Sequence, residues 1–384
     1  MTVSGERIKQ AREIAALTQA DLAREIGTNQ STITRLESNL IDNPAEIRLE
    51  AIALRTGFPL SFFRQDQGPD FPLGSLLFRK RVALTSTERA RIRQLAKLIF
   101  ELAEKIAAKY PIEPGAGIQR LSGSPGLVAR ATRDALGFSP DTPILKILSP
   151  LERNGVFVFA VPLEIPRYDA FSLWAEGATK RPVIVMSAGN PGDRQRYTLA
   201  HELGHLIMHN PRTVGSAIVE KEANEFAAEF LLPEEAMRRE LTSTLSLTEL
   251  AELKARWGVS IAALVMRAFS LRVATRRQVA QRFKLLNKKG WRLAEPVAIP
   301  AERPRLLRKM AEAFCGGVVD TERLGELIHA PARFIEGVLA TQDGNVVNGS
   351  TILQSRPIAA PGVSSAVQPG RRVISLEGRV PKRR

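Results

Sequence analysis

The chain of 384 residues is poor in cysteine and histidine, with one cysteine and four histidines. The single cysteine, Cys315, excludes an internal disulfide and suits a reducing compartment. No apolar run approaches the length of a membrane span, and the first residues lack an apolar signal segment. Hydrophobic residues make up 44% and charged residues 25%, as in ordinary globular proteins. We therefore expect a cytoplasmic protein without a membrane partner.

Acidic residues are scarce in the second half of the chain, where most of the net charge of +15 arises. Residues 1–64 are neutral, with eight basic and eight acidic side chains. Residues 267–309 carry thirteen basic residues against two acidic ones, and residues 371–384 carry six against one. This imbalance favours a surface for nucleic acid or an acidic peptide, and a solvated helical face is the alternative.

The first sixty residues predict several short helices with a glycine turn between two of them. Thr18 is suited to begin one helix, which ends at Gly27, and a second short helix follows. This is the helix-turn-helix pattern. The stretch LTQADLAREIGTNQSTITRLESN resembles the lambda-repressor-like (XRE) family of DNA-binding domains. Because neutral charge is unusual for a DNA-binding module, binding of another protein by this module is the alternative.

The second helix of a helix-turn-helix enters the major groove, and its first residues meet base edges. The positions expected to face DNA are Asn29, Gln30, Ser31, Thr32, Thr34 and Arg35. The resemblance to the XRE family implies that Gln19 steadies a phosphate and that Gln30 reads a base.

The middle of the chain predicts a long helix and then a small sheet. Residues 64–74 have the Pro, Gly and Asp content of a linker, and Thr85 with Glu88 has capping-box spacing. Apolar residues then recur three and four apart, at Ile92, Leu95, Ile99, Leu102 and Ile106. Such a seam packs either inside the chain or in a homodimer. The runs VFVFAVPL, FSLWAEG and RPVIVMSAG predict three strands.

Three of the four histidines lie in one stretch, RYTLAHELGHLIMH at 196–209. His201 and His205 are four residues apart, so on a helix they share a face and both imidazoles reach one ion. Glu202 follows the first histidine, where a carboxylate is placed to take a proton from water. This H-E-x-x-H arrangement is that of zinc hydrolases, and it predicts a Zn²⁺ site. Two solvated histidines on an ordinary helix are the alternative.

A catalytic zinc site needs a third protein ligand and an open position for water. His209 lies two turns, about 12 Å, from His201 along the helix, which is too far for both to share an ion. We expect His209 to close the helix, where a partly positive imidazole suits the C-terminal dipole. A role for His209 beside the metal or the substrate stays open.

The third ligand is expected from the next helix, in the segment SAIVEKEANEFAAEFLLP. Glu220 has Asn224 one turn further on, where an amide can orient a ligand histidine. Glu222 is rotated by about 200° from Glu220, so we expect it to face solvent. It would share an acidic, solvated edge with Glu225 and Glu229.

Four motifs together resemble the ImmA/IrrE family of bacterial metallopeptidases over roughly residues 75–296: DRQRYTLAHELGHLIMH, EKEANEFAAEFLLP, LKARWGVSIAALVMRAFSL and KKGWRLAEP. The resemblance implies zinc ligands at His201, His205 and Glu220 and a general base at Glu202. It also implies that the protein cleaves or otherwise inactivates an XRE-type repressor, which switches on genes under stress or mobile-element control.

The sequence as a whole predicts an α+β, mostly helical protein. An all-α helix-turn-helix domain precedes a zincin-like metallopeptidase domain with a small sheet, and a helical C-terminal region follows. The expected boundaries are 1–63, a linker at 64–74, 75–300, 301–341, and a basic Gly/Ser/Pro-rich tail at 342–384. The predicted function is zinc-dependent proteolysis that controls transcription. A DNA-binding regulator whose peptidase-like domain senses or binds without turnover is the alternative.

Overall fold

The computed structural model describes residues 2–41, 44–66, 68–69, 71, 84–110, 117–163, 168–176, 180–210 and 217–345. Nearly all of the expected tail and part of the expected linker lie outside these ranges. The described residues form sixteen α-helices and one three-stranded sheet, as the mostly helical α+β class predicts. None of these helices is both long and apolar enough to cross a membrane.

The amino-terminal unit consists of helices α1 (Gly5–Ile14), α2 (Gln19–Glu25), α3 (Gln30–Glu37) and α4 (Glu46–Thr56), and a 3₁₀ helix (Leu60–Arg64). Thr18 begins α2 in a capping box with Asp21. Gly27, at φ +69°, makes the turn that follows α2, a conformation glycine adopts without strain. The Asn29 side chain accepts a hydrogen bond from the Thr32 backbone N–H at 2.9 Å and so caps α3. The predicted helix-turn-helix is confirmed.

The long helix α5 (Ser86–Lys109) packs against this unit. The predicted capping box is present, with Thr85 accepting from the Glu88 backbone N–H at 3.1 Å. The apolar seam of α5 is buried inside the chain at Ile92, Leu95, Ile99, Leu102 and Ile106. Arg7 of α1 donates from both Nη atoms to the Glu101 carboxylate at 2.8 Å, and both side chains are buried. The seam therefore packs within the chain. The ion pair between Arg7 and Glu101 joins the helix-turn-helix unit to α5.

The three strands fall where the sequence predicts them: β1 (Phe157–Val161), β2 (Ala170–Glu176) and β3 (Lys180–Ser187). Their order is β1-β3-β2, with β1 parallel and β2 antiparallel to the central β3. Alternate side chains enter two separate hydrophobic cores, as the two-residue period of a strand requires. Phe159 and Val185 join the core that contains the helix-turn-helix and α5, and Ile184 joins the other. The sheet thus separates two buried layers.

The second core is built from the helices that follow, and it holds the histidine motif. These are α6 (Pro125–Ala135), α7 (Leu148–Arg153), α8 (Gly192–Met208), α9 (Ala217–Leu231), α10 (Glu234–Glu240), α11 (Leu247–Trp257), α12 (Ile261–Ser270) and α13 (Arg276–Lys288). Helix α8 lies against β2 and α9. The indole of Trp174 on β2 donates to the Leu206 backbone oxygen at 3.0 Å, which fixes the strand to the end of α8.

The last described helices are α14 (Leu306–Cys315), α15 (Thr321–Ile328) and α16 (Ala332–Gln342), and they return to the first core. Gln342 pairs with the edge strand β1: its amide donates to the Ala160 oxygen at 2.8 Å and accepts from the Ala160 N–H at 2.9 Å. A side-chain amide here satisfies backbone groups that an edge strand otherwise leaves exposed. Arg333 of α16 also donates to the Gly57 oxygen at 3.1 Å.

Candidate metal centre

Close packing of α8 and α9 positions the candidate metal ligands. Gly204 lies where the two helices meet, and a Cβ atom on it would come within 3.0 Å of the Phe226 ring. Small residues at such a crossing let helix backbones approach each other. Phe226 and Ala227 of α9 are fully buried against this surface. The first turn of α9 is thereby held beside the middle of α8.

Three donor atoms converge between these helices. His201 Nε2 and His205 Nε2 lie 3.0 Å apart. Glu220 brings Oε2 to 3.6 Å from His201 Nε2, and Oε1 to 3.4 Å from His205 Nε2. Two nitrogens bound to one tetrahedral zinc ion are about 3.3 Å apart, given bonds of about 2 Å. The spacing of the three side chains therefore fits a single small ion.

The protonation states that the site enforces also fit a cation. Glu220 Oε1 is buried and has no hydrogen-bond partner among the described residues. The imidazole of His201 and then that of His205, which lie 3.6 Å and 3.4 Å from the carboxylate oxygens, hold the pKa of Glu220 well below its usual range, so the carboxylate is charged. A buried charged oxygen without a donor is costly unless an ion or proton faces it. The chemistry of this donor set is that of a divalent metal site.

Asn224 fixes the ring of His201. Its Nδ2 donates to the Glu220 backbone oxygen at 2.7 Å, so its Oδ1 is the atom 3.2 Å from His201 Nδ1. His201 Nδ1 must then be the donor, which leaves the lone pair on Nε2 facing the other ligands. Orientation of a ligand histidine by a neighbouring oxygen is a general feature of metal sites. Asn224 thus takes the place predicted from its spacing.

His209 closes α8 as expected, but its charge state and the position of Glu222 differ from the sequence-based expectation. His209 follows the last residue of α8, but it is buried, and burial first, then the neighbouring His205, lowers its pKa. A neutral ring, not the expected partly positive one, suits this position. His209 Nδ1 lies 3.1 Å from His205 Nδ1, and its Nε2 lies 3.1 Å from Glu222 Oε2. The expectation that Glu222 faces only solvent was wrong, because α9 turns this carboxylate toward His209.

The expected solvated acidic edge of α9 is also wrong at Glu229. Its carboxylate is buried, is bound closely by the Arg267 guanidinium, and accepts from Arg130 Nη1 at 2.8 Å. Glu225 does lie at the surface, paired with Lys221. Three carboxylates on one helix thus have three different surroundings, because the partners of α9 come from α6, α8 and α12.

Glu202 of α8 is fully buried. Its Oε2 accepts a hydrogen bond from Ser172 Oγ at 2.8 Å, and the same hydroxyl contacts the Glu202 backbone oxygen at 3.1 Å. Ser172 is paired with Ile184 in the sheet and shares the face of β2 that meets α8. The hydroxyl therefore fixes the rotamer of this carboxylate. Sequence reasoning missed Ser172, although a serine inside a buried apolar strand is a visible signal.

The residues expected to face DNA lie on or beside α3. Its exposed side chains include Asn29, Gln30, Ser31, Thr34 and Arg35, whereas Thr32 and Gln19 are partly buried. Gln19 donates to Glu37 Oε2 at 2.8 Å and accepts from Thr34 Oγ1 at 3.1 Å, so its amide links α2 to α3. The exposed side chains of α3 form a surface that can contact a DNA groove. Gln19 lies at the edge of this surface.

The fold and the site together define an amino-terminal helix-turn-helix unit joined to an α+β domain with a buried His/Glu cluster. Comparison with known families finds a match within each part. Residues 151–269 match the IrrE N-terminal-like domain, a family of the metallopeptidase type, and residues 5–63 match a helix-turn-helix domain. A search of curated proteins finds no match to the chain. The two family matches confirm the architecture predicted from the sequence.

Proposed function

We propose that this chain is a zinc-dependent endopeptidase that binds DNA through its helix-turn-helix and cleaves a helix-turn-helix repressor. The observation that carries the proposal is the convergence of His201, His205 and Glu220, whose donor atoms all lie within 4.8 Å of one another. Two imidazoles and a carboxylate are the ligand set of many hydrolytic zinc sites, which keep a fourth position open. The match to a family of the metallopeptidase type also supports a peptidase function.

Zinc held by this set would supply Lewis-acid chemistry, polarising a carbonyl and lowering the pKa of water toward about 7. The protein contributes the base. Glu202 lies between the two histidines in the sequence of α8, and the Ser172 hydroxyl orients its carboxylate. Glu202 accepts a proton from the attacking water and delivers it to the leaving amine.

The helix-turn-helix supplies the second part of the proposal. Helix α3 has exposed polar side chains along its amino-terminal half, as a groove-reading helix requires. Its amino-terminal residues Gln30 and Ser31 would meet base edges, and Arg35 would lie nearer the phosphates. The family match at residues 5–63 supports a DNA-binding role. The chain would thereby act at an operator that its substrate also occupies.

The proposal is tested by metal analysis of the purified protein beside a cleavage assay. We expect about one zinc per chain, since the described residues form one such ligand set. The zinc-loaded protein is incubated with the helix-turn-helix repressors encoded near it, and the products are read by mass spectrometry. Absence of zinc, or absence of cleavage by protein that carries stoichiometric zinc, would contradict the proposal.

One observation favours a second candidate, a regulator without turnover. The helix-turn-helix shares its hydrophobic core with one face of the sheet, and the other face of the sheet packs against α8, so the sheet connects the two parts. In that case metal or ligand binding near α8 would alter DNA affinity, and no peptide bond would be broken. The cleavage assay separates the two, because only the endopeptidase yields new chain ends.

A further inference from the structure

A long segment of the chain carries positive charge without any acidic residue. Residues 253–294 contain eleven Lys and Arg and no Asp or Glu. This segment lies mostly beyond the residues matched to the IrrE N-terminal-like domain, which end at 269. Helix α13 and the turns on either side of it therefore lie outside the matched domain.

Most of these cations have no counter-charge in the structure. Lys254, Arg256 and Arg267 each pair with a carboxylate from another element. Arg282 is partly buried. Hydrogen bonds with Ser246 lower the pKa of Glu249, and the charge of nearby Arg282 adds to this shift. In the described part of the chain, the remaining seven are exposed and form no ion pair: Arg272, Arg276, Arg277, Lys284, Lys288, Lys289 and Arg292.

Helix α13 arranges three of these cations in a row. Arg277, Gln281, Lys284 and Lys288 are spaced by four, three and four residues, so they lie along one face. All four side chains are exposed. The row runs for about 16 Å along the helix axis. The opposite face holds the buried Leu286 against the second core, which keeps the basic row turned outward.

Of the cations in this row, only Lys288, in the last turn of α13, is favoured by the helix dipole. Arg276 and Arg277 occupy the first turn, where the helix dipole favours carboxylates, and that turn contains none. Lys284 and Lys288 are like charges four residues apart, an arrangement that disfavours a helix. A polyanion bound to this face would neutralise these charges and relieve their repulsion.

The helix-turn-helix unit has few basic residues that are free to contact phosphates. Of its eight Lys and Arg, five are engaged in ion pairs with carboxylates: Arg7, Arg12, Arg24, Arg55 and Arg64. The other three are Lys9, Arg35 and Arg48. Affinity for a duplex rests largely on neutralised phosphates, and three cations supply little of it.

We propose that the exposed basic face of α13 is a second DNA-contacting surface, which binds the phosphate backbone of duplex DNA without reading its sequence. A duplex carries one negative charge per about 1.7 Å of axis, so a straight row of cations meets several phosphates at once. The inference rests on the proposed DNA binding of the helix-turn-helix. It adds to that proposal a source of affinity located in α13, beyond the residues that match the IrrE N-terminal-like domain.

The test is the salt dependence of duplex binding by the full chain. The probe is a fluorescently labelled duplex of random sequence, about three helical turns long. One variant replaces the row, as Arg277→Gln, Lys284→Gln and Lys288→Gln together. The matched control removes the same charge from three exposed cations that already have carboxylate partners, as Lys180→Gln, Arg238→Gln and Arg256→Gln. Circular dichroism checks that both variants remain folded.

We expect the plot of log K against log salt to become shallower by about 2.7 in the row variant, at about 0.9 for each lost phosphate contact. The control should keep the original slope. Equal slopes and affinities for the row variant and the unsubstituted protein would overturn the inference. So would a row variant that loses affinity for polyglutamate but not for the duplex, because the surface would then serve an acidic polypeptide.

Failure of the inference can be told from failure of the proposed function. The Gln30→Ala, Arg35→Ala variant reports on the reading helix alone. Loss of sequence-specific binding in that variant, together with an unchanged salt slope in the row variant, leaves the helix-turn-helix proposal standing and removes the second surface. No duplex binding by the unsubstituted protein at any salt concentration removes both.

Discussion

His205 Nδ1 lies 3.1 Å from His209 Nδ1, and the far nitrogen of His209 lies 3.1 Å from a Glu222 carboxylate oxygen. These contacts form a chain of polar groups that begins at a candidate metal ligand. For His205 to offer the lone pair of Nε2, its Nδ1 must carry the proton and donate to His209. His209 then carries its own proton on Nε2 and donates to Glu222. The arrangement assigns the tautomers of both rings.

The first prediction follows from this chain. His209→Ala removes the acceptor that orients His205, so zinc affinity should fall by about 10- to 100-fold, as for other groups that orient a metal ligand. Competition with a chelator of known affinity measures the change. The matched control is His329→Asn, since His329 is the one histidine outside the motif and asparagine tolerates its positive φ of 51°. Equal zinc affinity in the His209 variant and the control would remove His209 from the site.

The second prediction separates the two carboxylates at the start of α9. Glu220→Ala should release zinc to a mild chelator, because two histidines alone hold the ion weakly. Glu222→Ala should weaken zinc binding less, by an amount similar to His209→Ala, since Glu222 acts through His209. In the double variant of His209 and Glu222 the two losses should not add. A larger zinc loss from the Glu222 variant than from the Glu220 variant would reverse these roles.

The third prediction concerns the reading helix. Gln30→Ala with Arg35→Ala should abolish sequence-specific duplex binding while zinc content stays unchanged, because both side chains are exposed on α3 and distant in sequence from the metal ligands. Gel shifts with the DNA upstream of the protein's own coding region measure specific binding. An equally strong and specific shift after substitution would show that α3 does not read DNA.

The fourth prediction concerns the junction between α1 and α5. Glu101→Ala leaves the Arg7 guanidinium buried without its carboxylate, and such a loss costs about 3–5 kcal/mol of folding stability. Urea unfolding of the purified variants measures the loss. Replacement of both partners, as Arg7→Met with Glu101→Leu, should recover much of the stability, because no charge is then buried alone. A double variant less stable than Glu101→Ala would contradict this account.

Much of the fold was predictable from local pattern. The glycine turn before α3, the capping box at Thr85 and the three β-branched strands each depend on neighbours within a few residues. The convergence of His201 and His205 also follows from helix periodicity alone. Helix phase further placed Glu220 and Asn224 together on the side of α9 that meets α8.

Other features depend on packing between distant segments, which no local pattern reveals. Periodicity turns Glu222 away from Glu220, but it does not reveal that the end of α8 lies on that side as well. Glu229 looks like a surface residue until α12 brings Arg267 against it. Ser172 reaches Glu202 only because β2 lies against α8. The burial of the α5 seam likewise depends on the helix-turn-helix that covers it.

The central claim is that the His/Glu cluster supports peptide-bond hydrolysis with Glu202 as the base. The most direct measurement is mass spectrometry of a helix-turn-helix repressor encoded near this protein, after incubation with zinc-loaded protein and with the zinc-loaded Glu202→Gln variant. The amide cannot accept a proton, so cleavage should slow by at least about 10²-fold at equal zinc content. Equal cleavage by both proteins, or none by either, would contradict the account.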